Sequence, residues 1–163
     1  MSNLSDYSLL PFDVCGTLID WETGVLHGLK PLLEANSKHY KLVVLSNVNR
    51  ESFSGSNSGP LQGVPFDLVI TAQDVGSYKP DPRNFEYMLH EVESKFGIPK
   101  EKVLQTAQSQ YHDHQPAKKF GTKSSWIERP GAIMGNRKNP VYDWKFATWG
   151  DMADALEKEL ASK

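Results

Sequence analysis

The chain has 163 residues, 18 Lys and Arg against 20 Asp and Glu, and a formal net charge of −2; with no basic block or stripe, nucleic acid and anionic membranes are not expected partners. No window approaches the ~18 apolar residues of a membrane span, and the single cysteine, Cys15, excludes an internal disulfide. The amino-terminal MSNLSDYSLL lacks the basic segment and apolar run of a secretory signal, so a soluble small-molecule protein in a reducing, cytoplasmic compartment is the expectation.

In chain order, short apolar runs bounded by turn residues predict strands at Tyr7 to Val14, Lys41 to Ser46, Phe66 to Thr71, Val103 to Ala107 and Thr122 to Ile127. Between the first two, Gly24 to Ala35 places Val25, Leu29, Leu32 and Leu33 on one helical face, with Pro31 as an internal kink. The run SGSNSGPLQG from Ser54 to Gly63 lacks the GK[ST] ending of a phosphate-binding loop and is expected to be a flexible surface loop. Pro82 to Phe96 is a well-marked helix: Pro82 suits the first turn, Phe85, Met88, Leu89, Val92 and Phe96 share a face, and Gly97 stops it. A last helix is expected from about Asp151 to Leu160. The length suits one domain spanning residues 1–163. The alternation implies an α/β fold, three-layered and Rossmann-like, with a mostly parallel sheet, helices on both faces and ligands beyond the carboxyl ends of the strands.

That edge gathers chemistry from distant parts of the chain. Asp13 ends the first predicted strand and turns at once through Gly16 and Thr17; Ser46 and Asn47 end the second; Lys79, in GSYKPDP, follows the third; the loop Gln108 to His114 follows the fourth. Each has an ordinary explanation alone: a turn acid, a turn pair, a solvated lysine, and an aspartate capping the helix that His114 begins. Their joint placement at one sheet edge points to a site. His112-Asp113-His114 has no accompanying zinc spacing, Lys118-Lys119 reads as a solvated helix side, and Trp144 and Trp149 read as packing against the final helix.

DVCGT at Asp13 to Thr17, VLSN at Val44 to Asn47, GSYKPDP at Gly76 to Pro82 and AQSQYHDHQPAKKFG at Ala107 to Gly121 resemble the four successive motifs of the haloacid dehalogenase superfamily. The spelling is most similar to the 2-haloacid dehalogenase branch, with WIER at Trp126 to Arg129 resembling the end of that branch's fifth strand. The resemblance implies a hydrolase in which Asp13 is the nucleophile, attacking either an alkyl carbon or a phosphorus to give a covalent ester or acyl phosphate that water later cleaves. Thr17, Ser46 and Asn47 would orient substrate and carboxylate, Cys15 would pack beside the substrate, and Lys79 would hold nucleophile and anionic substrate together. Asp113 would orient Lys79, or share a magnesium ion with Asp13.

Two positions after the nucleophile, phosphatases of the superfamily carry a second aspartate as general acid and base; here that residue is Cys15. A halide departs without a proton, so a dehalogenase needs no second acid. The expected reaction is therefore cofactor-free halide release from (S)-2-haloalkanoic acids. The alternatives are a magnesium-dependent phosphatase, with Asp13, the main chain of Cys15 and Asp113 as metal ligands, and a catalytically impaired core.

Several departures accompany the resemblance. The branch inserts a helical cap between the first two motifs, but only about thirty residues separate Asp13 from Ser46, so the cap is expected to be absent or truncated near residues 36–38, and no arginine in the interval supplies a halide cradle. Phe85 stands where the pattern has tyrosine, and Gln108 and Gln110 stand where it has serine and asparagine, leaving Ser109 as a substitute one place along. Pro11 should delay or bulge the first strand. An uncapped crevice would leave Trp21, Val25 and Leu26 open, which favours a homodimer that covers it.

Overall fold

The computed structural model describes residues 2–20, 24–25, 39–129 and 135–163. Six strands form one sheet: β1 (Leu9–Phe12), β4 (Lys41–Ser46), β5 (Leu68–Thr71), β6 (Leu104–Ala107), β7 (Lys123–Ile127) and β8 (Trp144–Phe146). Their spatial order is β5-β4-β1-β6-β7-β8 and every pairing is parallel. A separate two-stranded antiparallel pair joins β2 (Ile19–Asp20) to β3 (Gly24–Val25). The helices are α1 (Arg50–Ser58), α2 (Ala72–Val75), α3 (Pro82–Phe96), α4 (Gln115–Phe120) and α5 (Trp149–Ala161).

The strands are apolar on both faces because helices cover both, as a parallel sheet requires. Alternation along β4 shows it: Leu42 and Val44 join Phe12, Phe53 of α1 and Trp149, Met152 and Leu156 of α5 in one cluster. Val43 and Leu45 turn to the other face, with Phe85, Met88 and Val92 of α3 and Ala117 of α4. Phe85 is fully buried and stacks on Phe120 at 5.7 Å between ring centroids, so the residue that departs from the dehalogenase pattern is part of this second core.

Sequence and structure differ where local chemistry outweighs pattern. Ser54–Ser58 is the end of α1, not a loop: Asn49 caps that helix by accepting from Ser52 N, Ser56 and Ser58 donate back to main-chain carbonyls, and buried Phe53 pins it. The last helix starts at Trp149 because Thr148 and Asp151 form a reciprocal capping box. β8 is too short for a periodic signal. Gly24 and Val25 pair with β2, so the predicted helix does not begin at Gly24; its remainder, 26–35, lies outside the described residues, as do the interval near 36–38 and the side chains of Trp21, Val25 and Leu26. No cap is present among the described residues.

Pro11 does not bulge β1. The strand begins at Leu9, keeps register with β4 through Pro11↔Val43, and pairs with β6 only at Phe12↔Thr106 and through an isolated Leu9↔Val103 bridge. The proline lacks the N–H that would complete a ladder, so the sheet is thinly bonded just before Asp13.

Candidate active site

The chain leaves β1 at Phe12 and turns tightly, with Thr17 N and Leu18 N both donating to Val14 O. Gly16 permits the turn by adopting φ +78°, and the Gln108 side chain lies close against it. Asp13 is thereby held at the sheet edge, 9% exposed.

Lys79 reaches this carboxylate from the loop before α3. Its side chain is 1% exposed, and Nζ donates to Asp13 Oδ1 at 3.0 Å, to Asp113 Oδ1 at 2.7 Å and to Leu45 O at 2.7 Å. All three ammonium protons are therefore engaged. Burial works against the charge of Lys79, but Asp113 and Asp13 together outweigh it and hold the pKa above its ordinary value. Asp113, wholly buried, is pushed up to about 7: burial raises it, Lys79 opposes, and Asp13 adds repulsion. Two carboxylates thus share one ammonium in a nearly dry site.

The other expected residues fall into two groups. Ser46 joins the centre, its hydroxyl 3.3 Å from Asp13 Oδ1. Asn47 works through the lysine: its Nδ2 donates to Lys79 O at 2.9 Å and its Oδ1 accepts from Lys79 N at 2.6 Å, so both ends of the amide are engaged by the main chain of Lys79. Thr17 is fully buried and knits loops together; Oγ1 accepts from Gln108 N at 3.0 Å, and its carbonyl accepts from Trp149 Nε1 at 3.1 Å and from the Arg129 guanidinium. Ser109 caps the turn that carries Asp113, its hydroxyl 3.2 Å from His112 N and 2.9 Å from His112 Nδ1.

Cys15 is half-buried, and burial, with Asp13 adding to it, pushes its thiol up to about 11. It stays protonated and is a poor proton donor at neutral pH. His114 is buried and pushed down to about 4 by burial; its Nε2 lies 2.9 Å from Ala107 O, which can only accept, so the proton sits on Nε2. Burial and the Lys79 charge lower His112.

Sequence reasoning missed Gln105, whose Nε2 donates to Asp113 Oδ1 at 3.1 Å from the middle of β6. An amide within a short strand, VLQTA from Val103 to Ala107, was the available signal. It also missed what Gln108 and Gln110 do. Gln108 Nε2 donates to Asn136 Oδ1, Gln110 Oε1 accepts from Val141 N, and Tyr111 N donates to Gly135 O, which fastens residues 135–141 along the site loop. Gly135 is required there: a Cβ would stand 1.9 Å from Ser109 Oγ.

A Rossmann-like α/β sheet with an Asp–Lys–Asp cluster at its carboxyl edge is the architecture of a hydrolase core. Residues 19–127 match the haloacid dehalogenase-like hydrolase family, and the chain belongs to that family. Among curated proteins it is similar to an (S)-2-haloacid dehalogenase of Pseudomonas sp. (strain YL), 27% identical over 128 residues, covering 77% of this chain and 52% of the relative. The chain thus spans about half the length of the curated relative it matches. An L-2-haloacid dehalogenase structure superposes with a TM-score of 0.69 at 22% identity, over 82% of this chain and 57% of that one. A HAD phosphatase from Thermococcus onnurineus superposes with a TM-score of 0.74 at 18% identity, over 91% and 97%. Both share the fold. No helix among the described residues is long and apolar enough to cross a membrane.

Proposed function

We propose that the chain is a single-domain cytoplasmic hydrolase that releases halide from (S)-2-haloalkanoic acids, with Asp13 as nucleophile. The observation that carries this reading is the Lys79 ammonium, 3.0 Å from Asp13 Oδ1, beside a nucleophile loop whose second position, Cys15, offers no effective acid. The Asp13 carboxylate attacks C2 of the substrate, the carbon–halogen bond breaks, and the halide leaves with the electron pair. Water then adds to the carbonyl carbon of the Asp13 ester, releasing the 2-hydroxy acid and restoring the carboxylate. One water is consumed, and one halide and one proton are released. In-line displacement inverts C2.

Lys79 supports both steps electrostatically. It lies against the Asp13 carboxylate in a site of low exposure and offsets the repulsion between that carboxylate and an anionic substrate, an effect that strengthens as water is excluded. Ser46 orients the attacking oxygen, Asn47 fixes the lysine, and Thr17 fixes the loops. Cys15 and Ser109 line the approach, and a second copy of the chain covers the crevice.

A magnesium-dependent phosphatase is the second reading, favoured by one observation: Asp113 Oδ2 is buried and has no hydrogen-bond partner among the described residues. Asp13, the Cys15 carbonyl and Asp113 would hold the ion, which supplies charge neutralisation for phosphoryl oxygens. The discriminating experiment is halide release from (S)-2-chloropropionate with a chelator present, wild type beside Asp13→Asn. Release that the substitution abolishes supports the dehalogenase; no release, with magnesium-dependent hydrolysis of a phosphomonoester, supports the phosphatase.

A further inference from the structure

Gln105 is out of place in its strand. β6 is buried along its length, and Gln105 is fully inaccessible at the second of its four positions, between Leu104 and Thr106. Its Nε2 has a partner, Asp113 Oδ1 at 3.1 Å, but its Oε1 has none among the described residues. An amide with one end unsatisfied in an apolar layer weakens the fold relative to an apolar side chain of the same size. A residue that serves only packing would not be an amide.

Its partner explains the exception. Asp113 lies on the turn Gln110–His114, beyond the end of β6, so its carboxyl can swing about its own side-chain torsions. Lys79 alone draws one oxygen towards Nζ. The second donor, coming from the rigid sheet, engages that same Oδ1, and the two together hold that oxygen in place. The ammonium held by Oδ1 in turn faces Asp13. The groups around Asp113 are Lys79 from the loop before α3, Asp13 from the turn after β1, and Gln105 from β6.

We propose that Gln105 is a positioning residue: it locks the Asp113 carboxyl so that Lys79 is aimed at Asp13, at some expense to stability. This rests on the hydrolase reading above in treating Lys79 and Asp13 as the reacting centre.

Gln105→Met tests it, because methionine keeps the length and bulk and removes the donor. The variant is expected to unfold at the same or a higher urea concentration than the wild type while kcat for halide release falls about tenfold, the loss of one charge-assisted hydrogen bond, with KM nearly unchanged. In the Asp113→Asn background the same substitution is expected to change kcat less than twofold, since its effect passes through Asp113. A Gln105→Met enzyme with wild-type kcat overturns the proposal, as does an equal kcat loss in both backgrounds. A readout free of turnover separates this from failure of the dehalogenase reading. In the wild type one Gln105 side-chain amide proton is expected to resonate downfield and exchange slowly, and Asp113→Ala abolishes both features. An amide indifferent to Asp113→Ala refutes the contact even if no substrate is ever turned over.

Discussion

Replacing Lys79 by methionine removes the only cation among the described residues that contacts Asp13 and Asp113 while keeping an apolar side chain of similar length in the space. At an effective dielectric of 20, the separations of 2.7 and 3.0 Å correspond to gross attractions of about 6 and about 5.5 kcal/mol. Desolvation of the ammonium and repulsion between the two carboxylates offset most of that. What remains on deletion is the penalty of leaving buried charge uncompensated, about 3–5 kcal/mol at pH 8. The penalty is pH-dependent in a definite direction. Without the ammonium, Asp113 is pushed further above its unfolded pKa, so the folded variant binds more protons and loses stability as pH rises. At pH 5, where Asp113 is protonated even in the wild type, the deficit shrinks to about 1–2 kcal/mol. Urea unfolding of both proteins at pH 5 and pH 8, with the slopes compared to confirm two-state behaviour, measures it. A deficit below 1 kcal/mol at pH 8, or one equal at both pH values, would refute the shared-ammonium account.

Other expectations follow from the same geometry. In the wild type, Asp113 has a folded pKa of about 7 against an ordinary 3.8, so its contribution to stability is fully present below about pH 4 and is lost as pH rises through 7. The slope approaches about 1.4 kcal/mol per pH unit inside that window, and Asp113→Asn should flatten it in a titration of unfolding free energy; an unchanged slope contradicts the assignment. Cys15→Ala should leave halide release within about threefold, because a thiol pushed up to about 11 contributes neither proton nor nucleophile at neutral pH; a hundredfold loss would make Cys15 catalytic. Gly135→Ala should cost about 2 kcal/mol or more through collision with Ser109 and the left-handed φ of +77°; a neutral outcome in thermal unfolding would show that residues 135–141 are not fastened to the site loop. Light scattering at micromolar concentration should give the mass of a dimer, and a strictly monomeric mass removes the second copy from the account.

The parts of this molecule that the sequence discloses are those set by periodicity and by residues whose chemistry is conspicuous at a strand end. The bounds of β4 and α3 are readable because an apolar run meets a charged or glycine stop, and the joint position of Asp13, Ser46, Lys79 and Asp113 follows from parallel topology alone. The rest depends on contacts between distant segments. Serines and a glycine in α1 hide a helix that one asparagine cap and one buried phenylalanine hold in place. The amides of Asn47, Gln108 and Gln110 are engaged by main-chain and side-chain groups far along the chain, which no local pattern specifies. Gln105 is the sharpest case: an amide beside a threonine inside a strand reads as noise until the structure places Asp113 opposite it.

The most direct test of the central claim follows one oxygen atom. A single turnover of (S)-2-chloropropionate by excess enzyme in oxygen-18 water, followed by peptide mass spectrometry, should add one heavy oxygen to the peptide containing Asp13, because water attacks the carboxyl carbon of the ester. Label found only in the released 2-hydroxy acid would mean that water attacks the substrate directly, and Asp13 would not be the nucleophile.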